Sequence, residues 1–376
     1  MPQPLWIHLA FALSALGFTP TLLAQDVSSC QQTAEPAQRL ACYDRIFGVD
    51  ADEVSAITGA VTNDAAAAKA KANPKEAAIA AEALVSVDSS RIDAAAADGV
   101  EVATVLDKYW ELTPNEKRDR FVFRTYLPSF FLPVHYTSNI NRQPSTPGKP
   151  DGPRNDNYKA LEAKLQISLR TKLATGVILP GADLWFAFTQ RSMWQLWNHT
   201  DSAPFRSTDY QPELIYVVPV AKRFGELGDG WRIRMLQFGA AHQSNGQNDP
   251  LSRSWNKIYG GLALDKGNFG LNWRYHQRIP ESLEEDDNRD LIDYIGSHEL
   301  TATWLPGAAT AMLVWRNDLS NLSQGSFQLD MTYPVSEAKL DGLRWHLQLF
   351  SGYGETLLDY NVRQHSIGLG VMLFNF

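Results

Sequence analysis

The sequence predicts an all-β chain, a 12-stranded antiparallel transmembrane β-barrel behind an N-terminal extension, on three observations. After residue 121 the chain breaks into short aromatic-rich runs bounded by Gly, Pro, Asn and Asp, the texture of strands rather than helices. The connections between those runs alternate between short and long. Beyond residue 25 no run approaches the roughly 18 to 20 apolar residues that a membrane-spanning helix needs, which excludes a helical membrane protein. The low mean hydropathy of -0.27 does not exclude a barrel, whose strands alternate apolar and polar residues.

The extension comes first. Residues 5–23 are mostly apolar, with Leu22, Leu23 and Ala24 before Gln25, so residues 1–24 read as a signal peptide cleaved after Ala24, although no Lys or Arg precedes Arg39. Cys30 as a lipid anchor is poorly supported by Val27, Ser28 and Ser29 before it. Residues 25–50 form a small periplasmic segment in which Cys30 and Cys42 most simply pair as one short-loop disulfide, worth about 3 kcal/mol on the chain-entropy account. A metal at these cysteines has no His or third Cys to support it. Residues 51–120 read as an Ala-rich linker, with the composition shift running from Ala51 to about Ala103. Parts of it favour helix, but it holds little that could bury a core, so a partly helical or disordered periplasmic extension is expected.

The barrel occupies residues 121–376. Its twelve segments lie near 121–138, 159–174, 183–198, 213–224, 231–242 and 255–264, then 268–279, 291–305, 308–317, 326–334, 340–352 and 364–376. The connections 225–230, 265–267 and 306–307 are short, whereas 139–158, 199–212, 243–254 and 280–290 are long and polar. Outer-membrane barrels have this asymmetry, with short periplasmic turns and longer outside loops. An even strand count puts both ends of the barrel on the periplasmic side, and the last run closes on the aromatic Phe376, as terminal strands of outer-membrane proteins do.

Parity assigns the faces. Leu236, Phe238 and Ala240 share one face of a strand, and Ile258, Gly260, Leu262 and Leu264 share one face of the next. Gln166 and Ser168 alternate against Leu165, Ile167 and Leu169. A soluble β-sandwich or lipocalin-like barrel would alternate equally well, but twelve strands, alternating loop lengths, an export signal and a terminal aromatic together favour the membrane barrel.

The chemistry gathers in one hairpin. His242 and Ser244 are two residues apart and continue the outward face of Leu236, Phe238 and Ala240, while Asn256 shares parity with Ile258 and Leu262. A nucleophilic serine needs a base, and the base needs a third group to hold its tautomer; Ser244, His242 and Asn256 can fill these roles. Asn holds the ring but lacks the charge of Asp. The oxyanion then needs a further donor, such as the N–H of Gly246 or a cation. Polar groups on a lipid-facing wall are costly unless they satisfy one another. No Gly-x-Ser-x-Gly elbow points to a soluble α/β-hydrolase.

Residues 242–256 resemble the bacterial outer membrane phospholipase A family. So do Thr189-Gln190-Arg191-Ser192-Met193-Trp194-Gln195-Leu196, Ser202-Ala203-Pro204-Phe205-Arg206, residues 351–361 and the ending Gly368-Leu369-Gly370-Val371-Met372-Leu373. The resemblance spans about 121–376. It implies a calcium-dependent phospholipase A1 and A2 and lysophospholipase that hydrolyses acyl esters of membrane glycerophospholipids, is active as a homodimer, and sits in the outer membrane with its site at the outer leaflet. By motif position Ser244 would be the nucleophile, His242 the base, Asn256 the orienting residue and Gly246 an oxyanion donor. Calcium would take the Ser252 hydroxyl, the Gln247 carbonyl and Ser202 of a second subunit, with Asp287 at a position assigned to the monomeric form. Such oxygen ligands suit calcium, which could polarise a water toward the oxyanion. The family usually has Arg where this chain has Gln247, which changes the local charge. Gln190 matches a polar residue of the dimer interface; otherwise it would line the lumen. Asp249 and the acidic loop containing Asp287 could equally be solvated exterior surface.

Two other classes stay open: a structural or porin-like transport barrel in which His242 and Ser244 are incidental, and a periplasmic binding or interaction module in residues 30–103 carried by the barrel. The formal net charge of -8 argues against nucleic acid as a partner, because phosphate binding needs a basic footprint.

Overall fold

The computed structural model describes residues 104–337 and 342–374. The signal segment, the Cys30 and Cys42 pair, the Ala-rich stretch up to 103 and Phe376 lie outside the described residues. The barrel strands are β1 (Ser129–Thr137), β2 (Leu161–Thr175), β3 (Asp183–Trp194), β4 (Phe205–Pro219), β5 (Trp231–Ser244) and β6 (Ser254–Lys266). They continue as β7 (Phe269–Arg278), β8 (His298–Trp304), β9 (Thr310–Asp318), β10 (Asn321–Pro334), β11 (Arg344–Gly352) and β12 (Gln364–Phe374). Each pairs antiparallel with its neighbours, and β12 closes the sheet on β1 through pairs such as Leu369 with Val134. Closure leaves no strand edge in the bilayer, where an unpaired peptide group would find no water.

Parity runs as the hydrophobic pattern requires. Ile167 is 45% exposed between buried Gln166 and Ser168, and Leu236, Phe238 and Ile258 likewise face outward. The lumen is polar and dense with ion pairs. Glu355 accepts from His135 at 2.9 Å and Lys164 at 2.8 Å, Arg206 bridges Glu162 and Asp359 at 2.8 Å each, and His346 meets Asp330 at 2.7 Å.

One mouth is closed by a short helix, α1 (Val105–Trp110), capped by Thr104, whose side chain accepts from the Asp107 N–H while the Asp107 carboxylate accepts from the Thr104 N–H. Trp110 packs on Tyr126 and Trp185, and the Arg170 guanidinium lies over the Tyr109, Trp110 and Trp185 rings at 3.8, 4.3 and 4.8 Å. Residues from 104 are thus packed into the barrel, upstream of the boundary at 121 that composition suggests.

Two strand boundaries differ from the pattern. The fourth strand begins at Phe205 rather than near Glu213, because Pro212, which reads as a terminator, sits inside it opposite Phe188. The ladder to β5 lapses across Gln211 and Pro212 while pairing with β3 continues, as expected for one missing N–H. Leu291–Ile295 is a helical turn ended by Gly296 at φ 77, so the eighth strand starts only at His298. Loop asymmetry holds in part: the 319–320 connection on the long-loop side is tight, and 220–230 on the short-turn side is no shorter than 195–204 or 245–253.

Replacing the lipid-facing Ile167 with Arg should lower stability by about 2–4 kcal/mol in equilibrium urea refolding into vesicles. The same change at Leu227, in the connection between β4 and β5, should cost under about 0.5 kcal/mol.

Candidate active site

The site is built on the β5–β6 hairpin. Tyr259 lies directly across from Gly239, and its ring occupies the space where a Cβ would stand, 2.3 Å from the ring carbon bearing the hydroxyl. The Tyr259 hydroxyl donates to Glu213 in the lumen at 2.9 Å. This fit fixes the register, and the register sets His242 opposite Asn256 and Ser244 opposite Ser254. Between those polar residues the inward Trp255 packs with Leu291, Leu357 and Tyr360, and its indole donates to Gln243 at 3.0 Å. The polar face is therefore backed by a packed apolar cluster.

His242 is exposed on the outer wall, and its Nδ1 is 2.9 Å from Asn256 Oδ1. The other end of the Asn256 amide donates to Glu281 Oε1 at 2.8 Å. A carboxylate only accepts, so Glu281 decides which way the amide points. Oδ1 then faces the ring, the proton belongs on Nδ1, and Nε2 keeps its lone pair for a serine proton. Arg278 supports Glu281 at 3.5 Å and is itself fixed by Asp286 at 2.7 Å and the Asn288 carbonyl at 2.7 Å. Ser244 shares the outward parity of His242. Among the described residues no hydrogen bond joins the two.

The loop after Ser244 is organised by Asn245. Buried, its side-chain oxygen accepts from the N–H groups of Gln247 and Arg253 at 3.2 and 3.0 Å, and its amide donates to the Leu251 carbonyl at 2.7 Å. Arg253, fully buried, donates to the Pro250 and Ser252 carbonyls at 3.0 and 2.7 Å. Gly246 adopts φ 64 with the Tyr210 ring 3.2 Å from where a Cβ would lie, so a side chain there is disfavoured twice over. Among the described residues the Gly246 N–H makes no backbone–backbone hydrogen bond.

Of the four residues expected at a metal, the structure brings Ser252 and Asp287 together: the Ser252 hydroxyl donates to Asp287 Oδ2 at 2.5 Å. Ser254, which the sequence did not single out, reaches the same oxygen at 3.3 Å. Gln247 lies in the same loop. Ser202 is exposed at φ 59 after the turn His199–Asp201 and makes no hydrogen bond to the other three. Hydroxyl and carboxylate oxygens fit a hard cation such as calcium. Among the described residues no group of three or more His, Cys, Asp and Glu could hold a metal. The ammonium of Lys149 is 3.1 Å from Asp287 Oδ1 and 2.9 Å from Asp249 Oδ2, and these carboxylates, Asp249 first, hold its pKa above the usual lysine value. Gln190 faces outward on β3, beside the exposed-side Phe188, and not into the lumen; it donates to Ser192 at 3.4 Å.

Sequence reasoning missed Glu281, Lys149, Asn245 and Ser254. Only Ser254 carried a signal, its shared parity with Asn256.

A closed barrel with serine, histidine and asparagine grouped on the outward wall of its rim defines the class: a bacterial outer-membrane barrel with a hydrolase-type cluster. The Phospholipase A1 family model matches residues 106–373. The chain belongs to this family, the outer membrane phospholipases A. A candidate phospholipase A1 of Neisseria meningitidis serogroup B is 34% identical over 352 residues, 91% of this chain and 89% of that protein. Phospholipase A1 of Escherichia coli K12 is 35% identical over 218 residues, 58% of this chain and 71% of its own length. The crystal structure of the Salmonella typhi outer membrane phospholipase dimer with bound calcium superposes with a TM-score of 0.60 at 31% identity, over 69% of this chain and 95% of that one. An active-site mutant of the Escherichia coli enzyme, with an asparagine replaced by alanine, superposes with a TM-score of 0.60 at 28% identity, over 72% of this chain and 99% of that one.

If Glu281 sets the amide, Glu281→Ala should slow labelling of Ser244 by a long-chain sulfonyl fluoride about tenfold, the worth of one charge-assisted hydrogen bond. Glu281→Gln, whose carbonyl can still accept from Asn256, should retain most of the rate.

Proposed function

We propose that this protein is a calcium-dependent outer-membrane phospholipase. In this reading it cleaves acyl esters at both positions of glycerophospholipids, acts on lysophospholipids too, and works as a homodimer facing the outer leaflet. The observation that carries the reading is the hydrogen-bonded chain His242, Asn256 and Glu281 beside Ser244 on a lipid-facing wall, where exposed polar groups would otherwise be a cost.

Ser244 Oγ attacks the ester carbonyl as His242 Nε2 takes its proton. Asn256 holds Nδ1–H throughout, and the nearby Glu281 carboxylate offsets the charge of the imidazolium. The Gly246 N–H donates to the tetrahedral oxyanion. His242 returns the proton to the departing alcohol, lysophospholipid or its deacylated counterpart. It then deprotonates the water that cleaves the acyl-enzyme. Ser252, Asp287 and the Gln247 carbonyl would hold calcium, joined by Ser202 from the second copy. When bound, calcium would add positive charge near the oxyanion. The outward Gln190 supports pairing of two barrels, because an amide on a lipid wall gains from a protein partner.

A transport barrel is less well supported. Ion pairs cross the lumen and α1 closes one mouth, around a lumen cavity of about 150 Å³ lined by Arg191, Lys257 and Glu299.

Purified protein should release fatty acid from phosphatidylcholine in mixed micelles, and a calcium chelator should abolish release. Ser244→Ala should reduce it by at least about 1,000-fold. Full activity in that variant would remove Ser244 as nucleophile, and no release by the parent would favour a structural barrel. Cross-linking in detergent with calcium should trap a dimer, and Gln190→Leu should lower the dimer fraction.

A further inference from the structure

Lys149 belongs to the long connection after β1, 100 residues from Asp249 in sequence, yet its ammonium bonds both Asp249 oxygens, at 3.0 and 2.9 Å, and Asp287 at 3.1 Å. The placement is built. Gly148, at φ 82, leaves space for a Cβ only 3.0 Å from the Arg289 guanidinium, and Gly152 lies against Leu251, where a Cβ would stand 2.6 Å from a methyl group. The loop is braced by Gly152 N–H to the Pro144 carbonyl at 2.8 Å and Asn155 N–H to the Arg142 carbonyl at 2.8 Å. It is tied to the last outer loop by Thr146 with the Tyr360 hydroxyl at 2.9 Å and Asn361 to the Ser145 carbonyl at 3.0 Å.

The ammonium therefore sits among oxygens that would serve a divalent cation. Asp287 presents one oxygen to Lys149 and the other to Ser252 and Ser254. An ammonium offers one positive charge and three donors, whereas calcium takes 6 to 8 oxygens. One carboxylate cannot serve both fully. We propose that Lys149 is a tethered cation that, held by Asp249, occupies the Asp287 carboxylate of the calcium site and is displaced when calcium binds, so that the first outer loop sets calcium affinity. This rests on the calcium reading above. Lys149 also returns positive charge to a loop in which Gln247 carries none.

The test is calorimetric titration of the whole detergent-purified protein with calcium chloride, with no substrate present. Lys149→Gln keeps polarity and reach without charge, and should bind calcium about fivefold more tightly, the scale of losing one competing ion pair. Lys149→Arg keeps the charge and should bind as the parent does. Heat modifiability on gel electrophoresis reports whether each barrel is folded. Ser252→Ala, which leaves Lys149 in place, should weaken binding and so reports on the site itself. Equal or weaker affinity in Lys149→Gln, with Ser252→Ala still weakened, would overturn the proposal and leave Lys149 as a loop clamp only. No calcium binding by folded parent or by either Lys149 variant would remove the calcium reading and the proposal together. If Lys149→Gln fails to fold, Lys149→Met takes its place under the same expectations.

Discussion

Everything at the site depends on the register between β5 and β6. Side chains alternate across a strand, so a slip of one residue would turn His242 into the lumen and replace it on the outer wall with a neighbour. Tyr259 over Gly239 prevents that slip. The ring fills the space a side chain would need, and its hydroxyl is anchored on Glu213. A one-residue shift would set Tyr259 against Phe238 or Ala240 and strand a buried hydroxyl and carboxylate without each other. The closed sheet distributes this constraint, since every strand is paired on both sides and none can shift alone.

Given that register, the outer wall must accommodate a histidine, a serine and an asparagine on its lipid-facing side. The cost is reduced by linking the polar groups in series rather than by burying them. Each donor in the chain from His242 through Asn256 to Glu281 meets one acceptor, and Arg278 balances the final charge. An asparagine in place of aspartate avoids a bare carboxylate at the lipid boundary. The negative charge is moved one residue further from the lipid wall, to Glu281 in the polar outer loop, where water and Arg278 can solvate it.

Much of this was legible in the sequence because it follows from period-two alternation. The outward face of Phe238 and Ile258, the polar face of Gln166 and Ser168, and the shared parity of His242, Ser244 and Asn256 all came from counting. Pro212 misled because a proline inside a strand removes only one ladder bond, on one side. Residues 291–295 misled because a short apolar run carries no signal that separates one helical turn from a strand. Glu281, Asn245 and Lys149 act through loop geometry. Their partners lie 25, 8 and 100 residues away along the chain, and no periodicity encodes contacts between loops.

The acidic connection after β7 links the two halves of the site. Glu281 addresses Asn256, while six residues on Asp287 addresses Ser252, Ser254 and Lys149. Arg278 ties them, since one of its nitrogens serves both Glu281 and Asp286, the neighbour of Asp287. Moving Asp287 toward a different cation therefore pulls on a segment whose other end orients the histidine. Ser254 shortens the path further, because it reaches Asp287 and is the cross-strand partner of Ser244. Asp287 and its neighbour Asp286 thus connect Ser254, across the hairpin from Ser244, with Glu281 and through it with Asn256 and His242, all within one loop and one hairpin of the barrel.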